Sequence, residues 1–496
     1  MTIETEDVAV ATDGSVEVPA AGGGVPRRVR DPYLWAVVCF ALYAPFSLLQ
    51  HRRLETFGYD LGIFDQAVRA YSRFQAPTSD IRGLGFNLYG DHFHPILVTI
   101  VPFYWIHSSP VTLLLVQSAL LAVSVMPVAR LAIGRIGRPG GNAVAAAYGL
   151  SWGIQAALAF DFHEVCFAVP LLAFGLVALA ERRWRAVLLW MLPLLLVKEE
   201  FGLYLVMIGI VLLMRLRRRA GIGLIIVGLV VFGVVVGFVI PHFNPEHVNP
   251  YTVKFTSDSN GQPTGSGGMA ARIAIRLLKA PLLLFTPLVK VENLLLLGAL
   301  TGFLALRSPI ALIALPNIAM RYLTDYWPFW GPWLLHYNVV LMPIAFVAYL
   351  DAYPGLVVSR RRAVRAYALR SPAVTLAVAV VVAQFYPLQH TLIHPGWALG
   401  LDQRARTGYE MMSRIPDGVT VEAANRLAPH LTGRCRVVEY PRAVVDWPTW
   451  VVADTQDTFP TTVDGLMERV NDLKRRGYQV VDSRDGFILL RSPRAT

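Results

Sequence analysis

The chain has 496 residues, a formal net charge of +11 and a mean hydropathy of +0.48, with 55% of its residues hydrophobic. That balance excludes an ordinary soluble enzyme, and repeated apolar runs of about 20 residues read as a polytopic membrane protein. The charge does not point to nucleic acid, because the arginines gather in short connectors, at Arg27 to Arg30, Arg130 to Arg138, Arg182 to Arg185, Arg215 to Arg219 and Arg360 to Arg370. This is the positive-inside pattern of cytoplasmic loops.

Residues 1–31 start acidic and become Ala/Gly-rich, which predicts a disordered cytoplasmic tail with no cleaved signal peptide. A transmembrane domain follows over residues 32–390. Its spans are expected near 33–50, 110–130, 140–159, 165–181, 185–199, 200–215, 221–242, 290–306, 308–323, 334–352 and 372–390. That makes about eleven helices, starting inside and ending outside. The two short runs at 185–199 and 200–215 fit a single broken hairpin equally well.

This topology sends the polar stretches to one face. The first extracytoplasmic loop, 51–109, carries FGYDLGIFDQAVRAYSRF (Phe57 to Phe74). There Leu61, Phe64, Val68 and Tyr71 recur at helical spacing, predicting an amphipathic helix lying in the membrane interface. Pro95 to Ile106 is apolar but too short to span, so it reads as interfacial or re-entrant. The Gly/Ser/Pro-rich loop Asn244 to Gly268 is expected to be mobile. Residues 391–496 change character. Alternating CRVVEYP, WVVADT, YQVVDS and GFILLRS, with the helical VDGLMERVNDLKRRG, predict a small extracytoplasmic α/β domain.

The candidate chemistry sits on the same face. Asp60 could be a helix N-cap and Asp65 a surface partner of Arg69 at i, i+4. As carboxylates beside a bilayer, both are also candidates for catalysis. GDHFHP offers Asp91, His92 and His94, and DFHE offers Asp161, His163 and Glu164. Carboxylate with imidazole suits a proton-transfer pair or a divalent metal, although the spacing matches no metal motif. Lys198 and Glu199 interrupt two apolar runs as a structural ion pair or a phosphate site. His336 and Tyr337 follow an aromatic patch, YWPFWGPW, that also fits an interfacial belt. Cys39, Cys166 and Cys435 are the chain's three cysteines, and they form neither a disulfide framework nor a ligand set.

In order, YDLGIFDQA, GDHFHPIL, DFHEVCFAVPLLAF, VKEEFGLYL, HYN and NRLAPHLTGR resemble the membrane protein family described as domain of unknown function 2079. The resemblance runs from about residue 35 to the C-terminus. That family is similar to the GT-C superfamily of membrane glycosyltransferases. The resemblance implies a GT-C-like fold with an inside amino terminus and a large first outer loop. It implies an inverting sugar transfer from a polyprenyl-phosphate donor to a glycan or lipid acceptor of the cell envelope. By that resemblance Asp60 is the base with Asp65 as support or substitute. Arg53, Lys198 or Arg321 holds the phosphate, and Asp91, His92, His94, Asp161, His163, Glu164, Glu199, His336 and Tyr337 line the substrate cavity. The cofactor stays open: Mg2+ or Mn2+ would suit such chemistry, but the Asp-x-Asp common in the superfamily is missing here. Two rival readings remain, a lipid or solute transporter and a non-catalytic scaffold. A transporter would keep ionisable groups near the midplane on broken helices, and here they gather at one face.

Overall fold

In a computed structural model, residues 30–255, 257, 269–331, 335–393, 400–441, 448–457, 459 and 461–494 are described. The expected cytoplasmic tail lies outside these residues up to position 29, and so does most of the Gly/Ser/Pro-rich loop. Among the described residues, five helices are long and apolar enough to cross a membrane: Asp31–Arg52 (α1), Pro110–Ile136, Arg218–Phe243, His336–Val357 and Arg362–Ala383. Four shorter apolar helical stretches accompany them, Pro95–Ile106, Glu164–Ala180, Trp184–Leu196 and Phe201–Met214.

Local sequence explains the helix ends. The helix from Pro110 starts on Ser109, whose hydroxyl accepts the Val111 amide at 3.3 Å, and it stops at Gly137, which has φ 91°. The span expected at 140–159 is broken into Arg138–Gly149 and Trp152–Ala159. At the break the Gly149 carbonyl accepts the Tyr43 hydroxyl at 2.5 Å, so the freed backbone group keeps a partner inside the bundle. The last span starts earlier than expected. Its helix runs from Arg362 and takes up the arginine-rich segment as its first turns.

Charged pairs gather the arginine-bearing helix ends. Arg138 grips Asp31 at 2.6 and 2.9 Å, Arg130 reaches Glu181 at 2.8 Å, and Arg215 joins Asp351 at 2.8 Å and the Leu179 carbonyl at 2.8 Å. The other ends of these helices meet around the first loop.

That loop is built on the helix Ile63–Ser72 (α2) and the short helix Val101–Ile106 (α3). Leu61, Phe64 and Val68 are buried against Leu97, Ile100, Tyr104, Leu113 and Phe162. The apolar stripe is therefore covered by protein instead of resting on lipid, worth roughly 2 kcal/mol per side chain. Opposite, residues from Leu54 to Leu88 share a second core with the C-terminal region.

A two-stranded ribbon, Thr78–Ser79 (β1) with Phe86–Asn87 (β2), closes the loop. The C-terminal region forms a five-stranded sheet from Thr420–Ala423 (β3), Arg436–Glu439 (β4), Trp450–Asp454 (β5), Gln479–Arg484 (β6) and Phe487–Arg491 (β7). The order is β4-β3-β5-β7-β6, with β3 parallel to β4 and β5, and β7 antiparallel to β5 and β6. Val421, Val437, Val452 and Leu489 face the first loop, joining Ile63, Ala67 and Ile81. Val451, Ala453 and Leu490 face the helix Val463–Arg475 through Leu466, Val470 and Leu473. β3, β4, β5 and β7 are thus largely buried on both sides, as a sheet lying between two layers requires, whereas the edge strand β6 is mostly exposed.

Candidate functional site

Between Phe57 and α2 the chain makes a wide turn, Gly58–Gly62, in which Asp60 has φ 86° and ψ −80°. Such a conformation costs an aspartate of order 1–3 kcal/mol unless its surroundings impose it. Here they do. The Gly58 amide donates to the Asn425 carbonyl at 2.6 Å, and the Tyr59 amide donates to Asn425 Oδ1 at 2.9 Å. One residue earlier, the Phe57 amide donates to Asp161 Oδ2 at 2.7 Å. A side chain at position 58 would meet Ala428 Cβ at 2.7 Å, so only glycine allows this approach.

The helix α2 takes Gly62 as its N-cap without a side-chain cap, so Asp60 is not consumed in capping. Its carboxylate is half-buried and makes no side-chain hydrogen bond among the described residues. Burial pushes this carboxyl above its ordinary range. His163 pulls it down, Glu164 pushes up, Lys198 pulls down and Asp91 pushes up, leaving the balance raised.

The neighbouring charges come from three other segments. Lys198 Nζ lies 2.9 Å from Glu164 Oε1, and His163 Nδ1 lies 2.8 Å from Glu164 Oε2, all three side chains being buried. Burial opposes the charge on Lys198, but Glu164, Glu200 and Glu199 outweigh it, and the ammonium stays charged. His163 stacks on His336 with ring centroids 3.5 Å apart. Both nitrogens of that buried His336 lack a hydrogen-bond partner among the described residues. Tyr337 adjoins His336 at 4.3 Å, and Arg321 lies 5.6 Å from the Tyr337 ring. Arg321 donates to Phe329 O, Asn317 Oδ1 and Asn338 Oδ1 at 2.8, 3.1 and 2.7 Å and leaves Nη2 buried without a hydrogen-bond partner among the described residues.

GDHFHP closes the other side. His92 Nδ1 lies 2.6 Å from Glu199 Oε1, and the Phe93 amide donates to Glu199 Oε2 at 3.1 Å. Asp91 pairs with Arg82 at 3.0 Å. Burial resists its ionisation, but His92 and Arg82 prevail and hold the carboxyl at about 2. His94 is buried with Nδ1 unpartnered among the described residues, and burial drives its imidazole down to about 4, so it is neutral at pH 7.

The structure thus brings together Asp60, Asp91, His92, His94, Asp161, His163, Glu164, Lys198, Glu199, His336 and Tyr337, with Arg321 at the edge. It does not bring in Asp65 or Arg53. Asp65 is fully buried, gripped by Arg69 Nη2 at 3.1 and 2.9 Å and by the Tyr104 hydroxyl at 2.7 Å. It sits on α2 and its partners lie away from the cluster. Arg53 is committed to Glu55 at 3.0 Å, the Gly400 carbonyl at 3.0 Å and Asp402 at 3.7 Å. Both lie outside the cluster for one reason: the nearest opposite charge claims each side chain.

Several residues of the site escaped the sequence reading. Gln117 donates to the carbonyls of Ala157 and Asp161 at 3.1 and 2.5 Å and accepts the His163 amide at 3.0 Å, fixing the DFHE turn. A lone glutamine in an apolar span is a signal of this kind. Asn425 lay inside the NRLAPHLTGR motif, but nothing local shows what it caps. Tyr251 stacks on His92 at 4.2 Å, and Lys254 lies over Tyr251 at 5.1 Å. The described part of the loop expected to be mobile therefore contributes to the site's rim.

A metal finds no ready-made seat. Among the described residues no group of three or more His, Cys, Asp or Glu is arranged to hold one. Three of the acids are already engaged, Asp91 by Arg82, Glu164 by Lys198 and Glu199 by His92.

The fold and this buried charged cluster define an α-helical membrane protein whose first loop and C-terminal sheet together shape the candidate site. The family model described as "Predicted membrane protein (DUF2079)" matches residues 50–489, and the chain belongs to that family. No curated protein matches the chain. Among solved structures, the crystal structure of ArnT from Cupriavidus metallidurans bound to undecaprenyl phosphate is similar with a TM-score of 0.50 and 14% identity, over 92% of this chain and 97% of that one. The apo state of the same protein aligns with a TM-score of 0.49, 14% identity and the same coverage. At this identity the likeness to the first concerns the fold.

Proposed function

We propose that the chain is a GT-C-like inverting glycosyltransferase. It moves a sugar from a polyprenyl-phosphate donor to a cell-envelope acceptor on the extracytoplasmic face. The observation that carries this reading is Asp60: a half-buried carboxylate without a hydrogen-bonding side chain among the described residues, held in a strained conformation near a buried, charged lysine. Strain sustained by the surrounding structure at an unpaired carboxylate is what a positioned general base requires. The grouping of arginine-bearing helix ends away from this cluster supports the assignment of faces. The shared fold with a protein crystallised with undecaprenyl phosphate supports the donor class.

In this reading an acceptor hydroxyl sits against Asp60. The hydroxyl proton passes to the carboxylate as the acceptor oxygen bonds to the anomeric carbon. On the opposite side the bond from that carbon to the phosphate oxygen breaks, and its electron pair stays with the phosphate. Burial raises the basicity of Asp60, which strengthens it as a proton acceptor near neutral pH. The leaving phosphate meets Nη2 of Arg321, unpartnered among the described residues, and the ammonium of Lys198, which exchanges part of its contact with Glu164. His336, with both nitrogens free of hydrogen-bond partners among the described residues, is placed to hydrogen-bond the donor. Asp65 and Arg53 hold the scaffold.

The test is transfer from a panel of radiolabelled polyprenyl-phosphate sugars in membranes carrying the wild type or Asp60→Asn at equal protein level. Transfer by the wild type and its loss in the variant support the assignment. Undiminished transfer in Asp60→Asn removes the base assignment. If no donor is consumed, the transport reading takes precedence.

A further inference from the structure

Away from the acid–histidine cluster, the first loop and the C-terminal sheet enclose a cleft of about 370 Å³. One wall is the later half of α2, with Arg69 and Arg73. The other is the segment entering β4, with Gly433, Arg434 and Arg436. Asp80 is the single acid among the residues lining it, against these four arginines. The size lies at the lower end of small-ligand sites, and the lining suits an anion.

The arginines differ in what they have left to give. Arg69 is spent on Asp65 and Ser108. Arg434 is spent on Asp417 and on the carbonyls of Ile415 and Met412. Arg436 engages Asp80 through Nε alone, at 2.7 Å, and its terminal nitrogens have no partner among the described residues. Arg73 is exposed at the end of α2 and likewise has none. Two guanidinium groups with free N–H donors, one from each wall, match the forked geometry by which arginine grips phosphate and carboxylate.

Gly433 keeps the passage open. A Cβ there would touch only Arg69 Nη2, at 3.7 Å, so a larger side chain would grow into the cleft without displacing backbone.

The geometry points to an anion subsite: the cleft binds a phosphate or carboxylate borne on a saccharide, separately from the site of sugar transfer. The anion follows from the arginines alone, and the saccharide rests on the glycosyl-transfer reading. Bound there, an acidic glycan would bridge the first loop and the C-terminal sheet, the two elements that pin Asp60.

The cleft carries its own reporter. Cys435 lines it and is half-buried, whereas Cys39 and Cys166 are buried, so maleimide labelling of the intact protein reads this one thiol. The full chain in phosphatidylcholine nanodiscs would be dialysed against radiolabelled glucose 6-phosphate, glucuronate or glucose, with Cys435 labelling followed in parallel. One or both acidic sugars should bind and slow labelling about fivefold, and glucose should do neither. Whichever acidic sugar binds identifies the group, phosphate or carboxylate. Arg73→Glu and Gly433→Leu should each weaken binding by about tenfold. Asp60→Asn should leave binding intact, which separates failure of the subsite from failure of the transfer reading. The proposal is overturned if neither acidic sugar binds, if glucose binds equally, or if binding survives both variants or leaves labelling unchanged. Protection by phosphatidylglycerol nanodiscs without any sugar would assign the cleft to a lipid headgroup instead.

Discussion

The turn at Gly58–Gly62 and the helix α2 that follows it each carry one aspartate, and the two have opposite fates. Asp65 stands on a regular helix, where i, i+4 spacing delivers Arg69 and the fold adds Tyr104. Asp60 stands where the backbone is irregular, pinned from outside by Asn425, and its carboxylate is left without such partners among the described residues. A satisfied charge stabilises the structure and has no capacity left for chemistry. An unsatisfied one costs stability and remains available.

The comparison can be broken most decisively by Asp60→Asn. It should lower sugar transfer by about 10²–10⁴-fold with folding unchanged, the range for loss of a general base. Thermal denaturation measured beside the transfer assay would show whether stability moved instead. The mirror experiment is Asp65→Asn, which strands Arg69 at the edge of a buried core. Its expected cost is roughly 3 kcal/mol of stability, read as a fall in melting temperature, with transfer per folded molecule largely kept. If Asp65→Asn abolished transfer without destabilising, the two roles would have to be exchanged.

A smaller effect sharpens the link between them. Asn425→Ala removes the acceptor for the Tyr59 amide and loosens the turn that holds Asp60. Transfer should drop about tenfold through kcat, with the overall fold retained, because misplacing a base weakens it without deleting it. The smallest effect is on pH dependence. Burial raises the Asp60 carboxyl, and a base works only when deprotonated, so activity should fall on acidification at a pH above the ordinary carboxylate range. The stability sign runs the other way for this group. A raised folded-state carboxyl stabilises fully below its unfolded value, and that contribution is lost as pH rises through the folded one. Asp60→Asn should flatten the acid limb in any residual activity.

The GDHFHP, DFHE and KEE stretches announced themselves as charged islands between apolar runs, and the structure brings their residues together. Asp65 and Arg53 carried the same local signal and lie elsewhere, because their partners are within a few residues or across an interface the sequence does not mark. Gln117 and Asn425 carried almost none. Their importance lies in backbone groups they satisfy far along the chain.

What the sequence determined by itself was the one-dimensional part of this protein. A bilayer core demands about 20 apolar residues per crossing, and strands buried in a sheet demand β-branched runs, so apolar helices and strand segments are written locally, whereas where a helix breaks is not. Only the tertiary structure decided which charges meet. His92 and Glu199 are 107 positions apart, and Tyr59 and Asn425 are 366 apart. Such pairings follow from how helices and sheet pack, and electrostatic partnership falls off over a few ångströms of space without regard to distance along the chain.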